Sequence, residues 1–196
     1  LFRSDSNQRQ FTVWLNSSGY VHLSTNTNGG WQGISSAAGS IQLGQWQHVA
    51  AVIDRTTNAL RLYINGVEAA SGGLAAGPAL SNSNPFMVGN AVEGYPRFNG
   101  ELDELRIWNV ARSASAIAGA KDATLAGTES GLVGYYKLNE TAGRSVAGNA
   151  SDHSLTRDGG TGAIASTSGA TASTHPFDHG NGAGAVGTNP KAQIAT

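Results

Sequence analysis

The sequence predicts an all-β fold, an antiparallel two-sheet sandwich with one short connector helix and a C-terminal tail that is either flexible or docked. Three observations predict it. Between residues 11 and 138 several stretches alternate with period two and are rich in aromatic and β-branched side chains, the pattern of half-buried strands. Dipeptides and short polar runs that favour tight turns separate them. The composition agrees, with 27 glycines in 196 residues and only 13% charged residues, which suits strands joined by turns better than helices.

In chain order, Phe11, Val13 and Leu15 form one face of the first strand. Residues 46–54 and 60–65 follow, joined by the polar run 55–58, and are expected to pair antiparallel. Asn65-Gly66 supplies the positive-φ dipeptide of a two-residue hairpin before the chain returns along 67–70. Residues 85–89, 98–108 and 132–138 complete the strands. A short helix is expected from Ser113, whose hydroxyl can cap it and whose neighbours include several alanines. Trp14, Trp46 and Trp108 alternate with strand neighbours and are expected in the core or between the sheets. The strand signal fades after about residue 145, and residues 156–196 hold too little apolar surface to offset the entropy of ordering alone. Residues 1–155 are therefore read as one sandwich and 156–196 as a tail, linker or donor strand.

Bulk properties narrow the function. Twelve basic against thirteen acidic residues leave a net charge of -1, so no broad field attracts nucleic acid or an anionic membrane. The absence of cysteine excludes disulfides, thiolate catalysis and cysteine-ligated metals. No run approaches the ~20 apolar residues of a membrane span, so membrane insertion is not expected. The N-terminus lacks a signal-peptide profile, and any targeting segment is expected to have been removed already.

The order of Trp46-Gln-His-Val, Leu62-Tyr-Ile-Asn-Gly66, the run from Phe98 to Asn109 (Phe-Asn-Gly-Glu-Leu-Asp-Glu-Leu-Arg-Ile-Trp-Asn) and Ala111-Arg-Ser-Ala-Ser-Ala-Ile117 resembles the laminin-G-like, concanavalin A-like domains of bacterial surface proteins. The resemblance covers roughly residues 1–155 and implies a jelly-roll sandwich at an extracellular or cell-surface location. Function does not follow from it, because lectins, adhesins, structural modules and glycosidases share the architecture. Two departures stand out. An aromatic strand that normally precedes the segment resembling Leu1-Phe-Arg-Ser4 is absent, so the sandwich is expected to start one element short. Ala116 replaces the Glu that would complete a capping box with Ser113.

Glu101-Leu-Asp-Glu104 is the strongest enzymatic feature, because glycosidases of this fold carry alternating carboxylates on one strand. Here Leu105 interrupts the series. Glu104 and Arg106 are instead expected to form a surface or rim pair, and no catalysis is assigned. The five histidines lack metal-ligand spacing. Calcium is left open: the resemblance implies that relatives bind it in loops, and oxygen-rich candidates occur at 5–7, 26–28 and 149–152, without the spacing of a dedicated calcium loop.

Sugar recognition needs an exposed aromatic ring beside polar groups that orient hydroxyls. Trp31, in the glycine-rich run 28–33, and Tyr95 with Arg97, in 93–97, meet that description, both read as loop residues. The expected function is a non-catalytic adhesion module recognising carbohydrate or glycoprotein. The alternative is a self-assembling surface fibre in which the tail, through Ile164, Val186 and Ile194, donates the missing strand to a neighbouring copy and builds a homopolymer.

Overall fold

A computed structural model describes residues 2–3, 10–27, 30–77, 86–89, 98, 100–138, 145–146, 155–156 and 193–195, with the backbone alone at 2–3, 87 and beyond 138. Among them the chain is a β-sandwich. One sheet has the order β4-β3-β2-β1-β8, from Phe2–Arg3 (β1), Phe11–Leu15 (β2), Val21–Thr27 (β3), Gly30–Ser35 (β4) and Met87–Val88 (β8). The other comprises Val49–Asp54 (β5), Ala59–Ile64 (β6) and Val67–Gly73 (β7). Leu105–Trp108 (β9) pairs with Leu132–Tyr136 (β10), and Ser145–Val146 (β11) with Leu155–Thr156 (β12). All these ladders are antiparallel.

The β5–β6–β7 meander follows the pattern its sequence predicts. Asp54 closes the first turn by accepting from the amides of Thr56 and Thr57, and Asn58 takes a left-handed φ of 54°. Asn65 and Gly66, at φ 52° and 81°, make the second turn, the geometry that this dipeptide adopts most readily. The Asn65 side chain also accepts from the His48 amide.

Between the sheets, Val13, Val21, Leu23 and Val88 meet Val49, Ala51, Leu60 and Leu62 in one core. A second, smaller cluster lies on the opposite side of β5, where Ala50, Val52, Tyr63 and Trp108 pack with Ile117 of the helix Ala114–Ala120 (α1). Ser113 caps α1 by accepting from the Ala116 amide at 3.2 Å, as expected.

The structure departs from the sequence reading at several points. Residues 21–35 form two full strands, β3 and β4, that were not expected. The expected strand over 98–108 is regular only from Leu105, because Glu104 sits at φ 54° and breaks the extended run. Trp14 does not face the core: it stands on the solvent side of β2, opposite Val13. Of the tail, Gln193–Ala195 (β13) adds to the free edge of β5 in parallel, with Ile194 opposite Ala51, and also neighbours β9. Ile164 and Val186 lie outside the described residues.

Candidate functional site

The solvent side of the five-stranded sheet is built by strict alternation. In β3, Val21, Leu23, Thr25 and Thr27 point inward and are buried, which turns His22, Ser24 and Asn26 outward. Cross-strand register carries the same face onto its neighbours, since directly opposed residues share a face: Trp14, His22 and Ser35 make one row, Thr12, Ser24 and Gly33 the next, and Asn26 and Trp31 the last.

The first row is aromatic. The Trp14 ring lies 4.8 Å from that of His22 and 5.6 Å from that of Tyr20. His22 Nδ1 is 2.8 Å from the Ser35 hydroxyl, and burial holds its pKa below the ordinary histidine value, so the imidazole is neutral at pH 7. Gly33 permits this arrangement, because a Cβ there would stand 2.9 Å from His22 Nε2 and 2.7 Å from the Leu23 carbonyl oxygen. The middle row is closed, with Thr12 and Ser24 buried. Trp31 in the last row is 43% exposed and faces Asn26 across the ladder. Four residue steps along β3 separate the His22 and Asn26 rows, roughly 13 Å of strand, further than one sugar ring spans.

Trp31 therefore lies on a strand and not in a loop, because Gly30 and Gln32 pair with Thr27 and Thr25 and carry it into the sheet. Asn26 and Thr27, expected in an oxygen-rich loop, are likewise ladder residues. The other two such loops, and Tyr95 and Arg97, lie outside the described residues. Among the described residues no group of three or more His, Cys, Asp or Glu gathers as metal ligands.

At the same end of the sheet as Trp31, a cleft of about 670 Å³ opens between the sheets. Gln10 and Thr25 line it from one sheet, the turn residues Arg55, Thr56 and Thr57 from the other, and Asn109 from the segment after β9. Arg55 Nη2 donates to the Thr25 hydroxyl at 3.1 Å, and that hydroxyl donates to the Gln10 carbonyl at 2.5 Å. Arg55 Nη1 is buried and bonds to nothing. Burial pushes the guanidinium pKa below its ordinary value while leaving it charged. Asp54, beside it, is committed to its own turn: the Thr57 hydroxyl and amide, with the Thr56 amide, hold its carboxyl below the usual range. Nothing in the alternation of the sequence marks Arg55, which stands in a polar turn like many others.

Two carboxylates of the 101–104 run, Asp103 and Glu104, are buried. Glu104 and Arg106, expected as a surface or rim pair, are buried, at 5% and 1% exposure. The reason is α1 and the segment after it, which cover this face. Arg106 donates to Glu104 at 2.8 Å, to the Ala120 carbonyl at 2.7 Å and to the Ala123 carbonyl. Tyr135 donates to the same Glu104 oxygen at 2.7 Å, and burial first, then that bond, push its phenol far up. Asp103 is also buried, at 2% exposure.

A family model described as the concanavalin A-like lectin/glucanases superfamily matches residues 1–118. No curated protein matches the chain. Among solved structures, a protein of Bacteroides ovatus provisionally described as carbohydrate binding superposes with a TM-score of 0.61 at 20% identity, over 76% of this chain. The chain spans 44% of that protein's length. An S-layer domain-containing protein of Clostridium thermocellum gives a TM-score of 0.34 at 21% identity, over 61% of this chain and 60% of its own.

Proposed function

The chain belongs to the concanavalin A-like lectin/glucanase superfamily, and from that premise we propose that it is a non-catalytic carbohydrate-binding module acting outside the cell or at its surface. One observation carries this reading: an indole 43% exposed on the solvent side of an edge strand, with an asparagine opposite it. An aromatic face offers apolar contact to a pyranose ring, and the amide beside it can orient hydroxyls. The Trp14–His22–Tyr20 group supplies a second station on the same face, suited to a longer saccharide. Tyr95 and Arg97 remain proposed contributors. The solved structure of similar fold that is described as carbohydrate binding is consistent with this choice. Against catalysis, Glu104 is locked to Arg106 and Tyr135, and Asp103 is buried, so no carboxylate pair of the 101–104 run is free to flank a glycosidic bond.

The test is a panel of neutral and acidic oligosaccharides screened against the protein and against Trp31→Ala. The variant is expected to bind its best saccharide at least tenfold more weakly, with only a small drop in melting temperature because Trp31 is 43% exposed. Equal binding by both proteins would remove Trp31 from the site.

A second reading is self-assembly by strand exchange. It is supported by the addition of Gln193–Ala195 to the β5 edge, since an edge that takes this segment within one chain can take it from another copy. Concentration-dependent oligomers, seen by light scattering and lost on deletion of residues 190–196, are the expected result. A monomer at all concentrations with the tail intact would sink strand exchange.

A further inference from the structure

The Arg55 cleft is independent of the aromatic face and has its own chemistry. A guanidinium offers five N–H donors in a planar fork. In Arg55 one terminal nitrogen is held by Thr25, whose hydroxyl is itself anchored to the Gln10 carbonyl, so the fork has a fixed orientation. The other, Nη1, is shut off from solvent and has no hydrogen-bond partner. Leaving a charged donor buried and unpaired is costly, and such groups usually mark the place of a missing partner. Among the described residues no carboxylate forms an ion pair with it. Asp54, the nearest in sequence, spends both oxygens on Thr56 and Thr57. No described residue fills this place, and a planar carboxylate matches the fork best. Asn109 also lines the cleft, whose volume of about 670 Å³ suits a small organic ligand more than a lone ion.

We propose that the cleft between the β5–β6 turn and the start of β2 is a subsite for a carboxylated sugar, such as a uronic acid residue, whose carboxylate pairs with Arg55. This rests on the carbohydrate-binding reading and deepens it. The cleft opens between the sheets while Trp31 stands on the outer face, so the acidic sugar is held in the cleft without contact to Trp31.

The experiment is calorimetric titration of the full chain with glucuronate and galacturonate against glucose and galactose, with acetate and glucose 6-sulfate as further arms. Each uronate is expected to bind at least tenfold more tightly than its neutral counterpart, with a preference that shrinks as salt rises. Arg55→Gln should erase the preference. Arg55→Lys, which keeps the charge but not the fork, should lose most of it, and Thr25→Val, which frees the guanidinium, should weaken it. The lysine and valine variants keep the test decisive should the glutamine variant not fold. Equal affinity for acid and neutral sugars overturns the proposal, as does a preference that survives Arg55→Gln. Tighter binding of the sulfate ester overturns the carboxylate assignment, and acetate binding as tight as that of the uronates overturns the sugar. Neutral oligosaccharides that bind through Trp31 with no acid preference leave the carbohydrate reading standing without this subsite; no sugar binding at all removes both.

Discussion

Replacing Glu104 by leucine is expected to lower the unfolding free energy by about 3–5 kcal/mol, the usual cost of stranding one charge of a buried pair. The mechanism is specific. Arg106 is 1% exposed and its guanidinium has three acceptors, one carboxylate and two carbonyls at the end of α1. The carbonyls satisfy hydrogen bonds, yet only Glu104 balances the charge. Without it the cation must be desolvated alone or must tear away from the helix end, and α1 loses the positive group that complements its C-terminus. Tyr135→Phe removes one neutral donor from the same oxygen and is expected to cost about 1 kcal/mol. Urea denaturation of the two variants orders them directly. The double variant Glu104→Leu with Arg106→Met should recover most of the loss, because apolar replacement of a complete buried pair is often close to neutral. A single Glu104→Leu that melts like the wild type would mean that solvent reaches Arg106 after all.

Leu62→Ala is expected to cost about 3–5 kcal/mol, the upper part of the range for leucine truncation. Leu62 is fully buried on the central strand β6, and its cross-strand partners are Ala51 and Ala70. A large side chain between two small ones fills space that neither neighbour can reach. After truncation the alanines cannot collapse into the gap, so the cavity stays open and its lining loses contacts outright. Leu62→Met nearly conserves volume and should cost under about 1.5 kcal/mol. If thermal melting shows the alanine variant losing no more than the methionine variant, the core relaxes more freely than this packing implies.

The sequence disclosed the parts of the fold in which local chemistry and environment agree. The β5–β6–β7 meander was legible because apolar alternation, an Asp-anchored turn and Asn65-Gly66 all indicate the same register. β3 and β4 were hidden because their inward residues include Thr25 and Thr27, buried at 0% and 2%, so the apolar period that marks a strand is broken exactly where burial is complete. Trp31 reads in the sequence as an exposed aromatic in a loop, since the glycines around it suggest a turn, whereas the ladder makes it a strand residue. The burial of Arg106 could not be read at all. Its strand position turned it toward the expected solvent side, and only tertiary docking of α1 made that side an interior. Arg55 carries no signal for the opposite reason: its orientation comes from a hydroxyl thirty residues away, on the other sheet.

The parallel addition of β13 gives β5 two edges of different permanence. On the β6 side, six opposed pairs continue through tight turns into the core. On the β13 side, three opposed pairs are present among the described residues. The two rims of β5 are therefore expected to exchange their amide protons at separate rates, faster on the β13 side, a difference that hydrogen exchange reads directly.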